Sequence, residues 1–191
     1  VNISNVDNLI IEGLGETPVT LLSEAYGFVF SFKESENVSL VNLRLGHTME
    51  YCTAGVLEFY GKNIKIDKSI LFGCGEWGIT ATGVENLQVT NTLISDCATQ
   101  AVQLFDSKDV TFDNCIFTRN GKNAVQIENS KDVLFKQVDI IHNTKENYYN
   151  SISNAVFYLK QAENITLKAS RVNENGFDEI SDGDSELVIE E

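Results

Sequence analysis

Basic residues are scarce in this chain: 14 Lys and Arg stand against 28 Asp and Glu, a formal net charge of −14. That balance disfavours nucleic acid as a partner, because a phosphate backbone demands a basic surface. It also disfavours anionic membranes and, without an intervening cation, polyuronates. Proline occurs once and glycine 13 times in 191 residues, which argues against a linker or low-complexity protein. No apolar run reaches membrane-spanning length and no leader peptide is visible, so membrane insertion is not expected. Cys52, Cys74, Cys97 and Cys115 lack paired CxxC spacing, which indicates neither a zinc ribbon nor a disulfide scaffold.

What is present is a 42% hydrophobic composition, enough to bury a core within one domain over residues 1–191. One pattern recurs: a polar residue followed by apolar, any, apolar. It starts at Asn8, Asn37, Asn63, Asn86, Asp109, Asp132, Asn164 and Glu186, at intervals of 29, 26, 23, 23, 23, 32 and 22 residues. A period of this size marks a solenoid, in which each unit buries its apolar edge only by stacking on its neighbours. Within each unit the period is two, so the elements are strands. Leu9, Val38, Ile64, Leu87, Val110, Val133, Ile165 and Leu187 form one inward row. Ile11, Leu40, Ile66, Val89, Phe112, Phe135, Leu167 and Ile189 form the next. A second strand is expected after a short turn, at Gly78, Ala101, Ala124 and Ala155.

A leucine-rich repeat overlaps in period, but it returns through a helical or irregular segment on a fixed leucine skeleton. Here both segments alternate with period two. With its repeat, its Asn-rich turn column and its β-branched and aromatic stacks, the chain resembles the right-handed parallel β-helix superfamily, the pectate-lyase-like fold. The resemblance covers Asn8 to about Glu190 and implies an all-β solenoid of seven to eight coils. It also implies a secreted or cell-surface module that binds or processes polysaccharide. Family members usually carry an N-terminal amphipathic cap helix. None is visible, and the chain starts at Val1, so a segment of a longer chain is expected. Catalytic signatures are missing as well: there is no adjacent Asp-Asp pair with a Gly-His-Gly, and no Trp-Ile-Asp-His segment. If the chain is an enzyme, the resemblance implies a polysaccharide lyase or a glycoside hydrolase.

Stacked coils lie about 4.8 Å apart, so residues one period apart are neighbours. The Asn and Asp starts then read as a turn ladder, since both residues tolerate unusual backbone angles and bond to the next coil. Thr48, Cys74, Cys97, Asn120, Asn143 and Asn175 form a second turn column, in which Cys74 and Cys97 come within disulfide range or simply fill the ladder as thiols.

The crossing between strand systems is long at Leu14–Tyr26, Gly46–Ala54 and His142–Asn154, and short in the coils between. That predicts a trough over coils three to five, walled by loops. Its expected binding residues are Glu50, Glu76, Trp77, Gln100, Gln103, Lys122, Gln126 and Tyr148. Aromatics among amides suit a neutral glycan, while the competing reading is that Trp and Tyr pin the loops to the solenoid. Asp96, Arg119 and His142 stand on consecutive coils as a candidate acid–base column, against the plainer reading of a surface ion pair beside a solvated histidine. His47 and His142 are four coils apart, about 19 Å, and cannot share a metal. No metal site is expected, although the Asp182-Gly183-Asp184 turn is a weak calcium candidate. Finally, Ile70, Leu93 and Ile116 are expected to project outward as an apolar stripe for a protein partner, the alternative to a glycan-binding role.

Overall fold

The computed structural model describes residues 1–48, 53–73, 75–143, 153–177 and 179–191. Within them every element is a strand, and every strand pairing is parallel. The chain winds as a solenoid with three flat faces. The first carries the Asn-started strands, such as Glu85–Thr90 and Lys108–Asp113. The second stacks seven strands, from Val19–Ser23 through Leu93–Ser95 to Arg171–Asn173. The third holds Ile79–Thr82, Val102–Phe105, Val125–Glu128 and Ala155–Lys160. In two coils one long strand, Phe30–Val41 or Leu57–Asp67, runs from the third face into the first, which merges those faces into a single 14-stranded sheet.

The inward rows stack in the expected register. Leu9 pairs with Val38, then Ile64, Leu87, Val110, Val133, Ile165 and Leu187. Aromatic and aliphatic contacts fill this interior. Phe112 and Phe135 stack at 5.0 Å and 5°, and Phe32 and Phe59 at 5.4 Å and 8°, all four fully buried.

Corners are made by residues with left-handed backbone. Asn8, Asn37, Asn63, Asn86, Asp109, Asp132 and Asn164 all have φ between 54° and 61°, the conformation Asn and Asp adopt most readily. Along this column Asn63 donates to Asn37 at 3.0 Å and Asn86 to Asn63 at 2.9 Å. A second set of amides points inward. Asn143 Oδ1 accepts the Asn120 backbone N–H at 3.1 Å, and Asn175 Oδ1 accepts that of Asn143 at 2.9 Å. Serines serve the other corners: Ser107 Oγ accepts from Val84 N and Ser130 Oγ from Ser107 N, at 3.1 and 3.0 Å. Each of these inward amide and serine bonds satisfies a backbone donor that the corner takes out of the sheet ladder.

Three expectations change. The Leu14–Tyr26 crossing contains a second-face strand, Val19–Ser23, whose Leu21 lies against Leu45. The Ala155 segment is slipped by one residue, because Phe157, not Val156, pairs with Val125. Since strand side chains alternate, that slip exchanges faces: Phe157 is buried and Tyr158 lies on the outer row. His47, on the long Gly46–Ala54 crossing expected to help wall the trough, is only 3% exposed.

Candidate functional site

The outer surface of the third face is built from two in-register columns. One runs Ser31, Glu58, Thr80, Gln103, Gln126, Tyr158. The other contains Thr82, Phe105, Glu128 and Lys160, with Tyr60 next to Thr82 on the preceding coil. Aromatic rings therefore recur on every second coil, at Tyr60, Phe105 and Tyr158, a repeat of about 9.6 Å. Hydroxyl, amide and carboxylate groups occupy the coils between.

Hydrogen bonds organise this surface. Glu58 accepts from the Ser31 hydroxyl at 2.5 Å and from the Tyr60 hydroxyl at 3.2 Å. Burial, and then the charge of Glu58, push the Tyr60 phenol above its ordinary value. Lys33 Nζ sits 5.7 Å from the Tyr60 ring centroid. Gln126 Oε1 accepts from both Gln103 at 3.0 Å and Gln100 at 3.3 Å, while its amide donates to Glu128 at 2.7 Å. A groove of about 380 Å³ follows the corner between the third and first faces, past Glu85, Lys108, Asn129 and Gln161. A second hollow of about 310 Å³ beside Tyr60, Glu36 and Lys62 meets it at Gly83.

The residues expected in the trough divide into three groups. Gln100, Gln103 and Gln126 do converge, but as a buried, mutually bonded cluster beneath the surface. Trp77 is half-buried and stacks on Phe28 at 6.3 Å and 22°, and Glu76 and Lys122 are half-buried near it in sequence or one or two coils on. Glu50 and Tyr148 lie outside the described residues, as does Cys74. Asn123, fully buried, donates to Ser153 Oγ at 2.9 Å, and its own Oδ1 has no partner among the described residues.

Asp96, Arg119, His142 and Glu174 all have left-handed φ, between 54° and 60°, so their column is also a corner. Arg119 binds Asp96 with both Nε and an Nη, at 2.8 and 2.7 Å. His142 pairs with Glu174 at 3.1 Å instead of joining that ion pair. Asp184 accepts the Gln161 backbone N–H at 2.6 Å and the Ser185 hydroxyl at 2.8 Å, and these bonds hold its carboxyl below the ordinary range. No cluster of three or more His, Cys, Asp or Glu suited to a metal exists among the described residues. In the same residues no helix is long and apolar enough to cross a membrane.

Sequence reading missed Tyr60, Phe105, Tyr158 and Glu58. Their signal was available: in each third-face strand they alternate with buried residues, as in Leu57-Glu58-Phe59-Tyr60.

A parallel three-faced solenoid with inward amide and hydroxyl columns defines a β-helix protein. The model of the right handed beta helix region matches residues 28–191, and the chain belongs to that family. Among solved structures it is similar to tailspike protein 2 of an Escherichia coli O157:H7 bacteriophage. That match has 10% identity and a TM-score of 0.66, covering 92% of this chain and 28% of the tailspike. It is also similar to the periplasmic alginate epimerase AlgG, at 10% identity and a TM-score of 0.64, covering 99% of this chain and 46% of the epimerase. The chain thus spans less than half the length of either, and what is shared at this identity is the fold. No curated protein matches the chain.

Proposed function

We propose that this chain is an extracellular or cell-surface module that binds polysaccharide across its third face. The observation that carries the reading is the recurrence of rings on alternate coils, Tyr60 and Phe105 in one column and Tyr158 in the column beside it, with the Glu58 and Glu128 carboxylates between them. Ring faces pack against the C–H faces of sugars, and the half-buried Glu58 and Glu128 carboxylates bond hydroxyls, with the buried glutamine cluster holding Glu128 in place. The coil spacing is comparable to the advance per ring of an extended glycan, so a chain lying along the solenoid axis meets the same chemistry repeatedly. Trp77, Glu76 and Lys122 border the surface at the loop corner, and the Gly83 groove borders it at the other. Net charge favours a neutral polymer over a polyanion. The fold shared with a tailspike and an alginate epimerase supports a carbohydrate role.

Binding of neutral oligosaccharides, followed by calorimetry, tests the proposal. Tyr60→Ala, Tyr158→Ala and Trp77→Ala should each weaken it. Absence of binding at millimolar ligand would overturn it. If a bound glycan is also cleaved, Asp96→Asn separates catalysis by the Asp96–Arg119–His142 column from recognition: a fall in turnover with unchanged affinity assigns Asp96 to chemistry.

A further inference from the structure

The second face turns an apolar column outward in three consecutive coils. Ile70, Leu93 and Ile116 stand in register, and Ile116 keeps 41% of its surface exposed. Phe72, two residues beyond Ile70, packs its ring against Gly46. By contrast, the outward positions of the first face include Ser39, Lys65, Gln88 and Thr111, so the solenoid does not itself require apolar residues outside.

The apolar run is flanked by charges of opposite sign, and Arg171 follows in the same column after the second of them. Arg44 precedes Ile70 in register, and Asp139 follows Ile116. Each is fixed beside the stripe: the Arg44 guanidinium lies 3.9 Å from the Phe72 ring centroid, and Arg171 holds Asp139 through bonds of 3.1 and 2.8 Å. The order is cation, three apolar residues, anion. Over these five positions the order read backwards is the complement of itself, and one coil further out Arg171 at one end faces Thr20 from the other.

Two copies placed face to face with antiparallel solenoid axes, about a two-fold along the coil-four strand, put Leu93 on its mate. Ile70 then meets Ile116, and Arg44 meets Asp139, each contact occurring twice by symmetry. Parallel copies would instead oppose Arg44 with Arg44 and Asp139 with Asp139. We infer that the second face is a self-association surface, forming an antiparallel two-fold dimer centred on Leu93. The stripe is narrow, below the roughly 800 Å² per partner of a stable interface, so the dimer is weak and reversible. It leaves the third face free.

Sedimentation equilibrium of the 191-residue chain, from micromolar to near-millimolar concentration, tests this. The expected result is a monomer–dimer equilibrium that Leu93→Glu abolishes. Arg44→Glu or Asp139→Lys alone should weaken it roughly tenfold, since each reverses two contacts, and the double variant should restore it. Thermal melts confirm that each variant is folded, and the exposed charge changes provide the test even if Leu93→Glu is destabilised. A chain that stays monomeric throughout overturns the inference, leaving a different partner for the stripe. Self-association that the double variant fails to restore overturns the antiparallel arrangement and with it the proposed dimer.

Discussion

Replacing Asn143 with alanine should destabilise the solenoid far more than any exposed polar substitution. The side chain is 2% exposed, and its Oδ1 accepts both the Asn120 backbone N–H at 3.1 Å and the Asn120 side-chain amide at 2.9 Å. Its amide donates to Phe117 O at 2.9 Å and Asn175 Oδ1 at 3.1 Å. Alanine removes these bonds, together with the amide's shared contact to Ile141 O at 3.2 Å, and leaves a buried Asn120 N–H without its acceptor. An orphaned buried donor costs about 1–3 kcal/mol, and each further bond about 1 kcal/mol. The total is about 4–6 kcal/mol, which for a chain of this size lowers the melting temperature by roughly 10–20 °C. Coils interact only with their neighbours, so the damage should be local, with hydrogen exchange rising in coils five to seven before coils two to four. Circular dichroism melts and exchange mass spectrometry read both effects. Asp139→Ala, which loses an exposed ion pair, serves as the control and should cost under about 1 kcal/mol. If Asn143→Ala melts together with that control, the inward amide column does not hold the coils together.

Further outcomes follow from the same packing. Phe135→Ala removes a fully buried ring in contact with Phe112, Phe117 and Phe157 and should cost about 3–5 kcal/mol in chemical denaturation. Gly73→Ala drives a Cβ into the Asp96 carbonyl and should lower the melting point by an amount comparable to a core truncation. Burial alone would raise the Asp67 carboxyl, but bonds from Thr90 at 2.6 Å and Asn91 at 2.8 Å outweigh it and lower the value. A carboxyl lowered on folding stabilises above its unfolded pKa and loses that contribution as pH falls through and below about 4. Acid titration of stability should therefore be shallower in Asp67→Asn. Burial pushes the Cys97 thiol well above its ordinary value and that of Cys115 to about 11. Both should resist iodoacetamide in the native state and react on unfolding, as mass spectrometry would show.

The fold was legible because a solenoid writes its register into the sequence. Every residue of the two expected first-face rows pairs as the spacing predicts, since burial of one strand face forbids a one-residue slip. The slip at Ala155 arose where that constraint is weakest: the interval lengthens to 32 residues, and Ala155, Val156 and Phe157 are all apolar and buried. The second-face strand of coil one was hidden by the Gly13–Pro18 insertion before it. Arg119, His142 and Glu174 occupy the same left-handed conformation as Asp96, so the candidate acid–base column is also a corner of the stacked coils. The glutamine cluster was correctly grouped, but alternation cannot reveal that outward residues are buried by their neighbours. That is why Gln103 and Gln126 were expected to meet ligand directly, and why the flanking rings were overlooked.

The central claim is that the third face receives a glycan along the solenoid axis. Its most direct test is a titration of the chain with neutral oligosaccharides of increasing length, read by residue-resolved NMR shifts. The account predicts perturbations at Tyr60, Phe105 and Tyr158, appearing together only once the oligosaccharide is long enough to span the coils between them. Perturbations confined to the second face, or none at millimolar ligand, would contradict it.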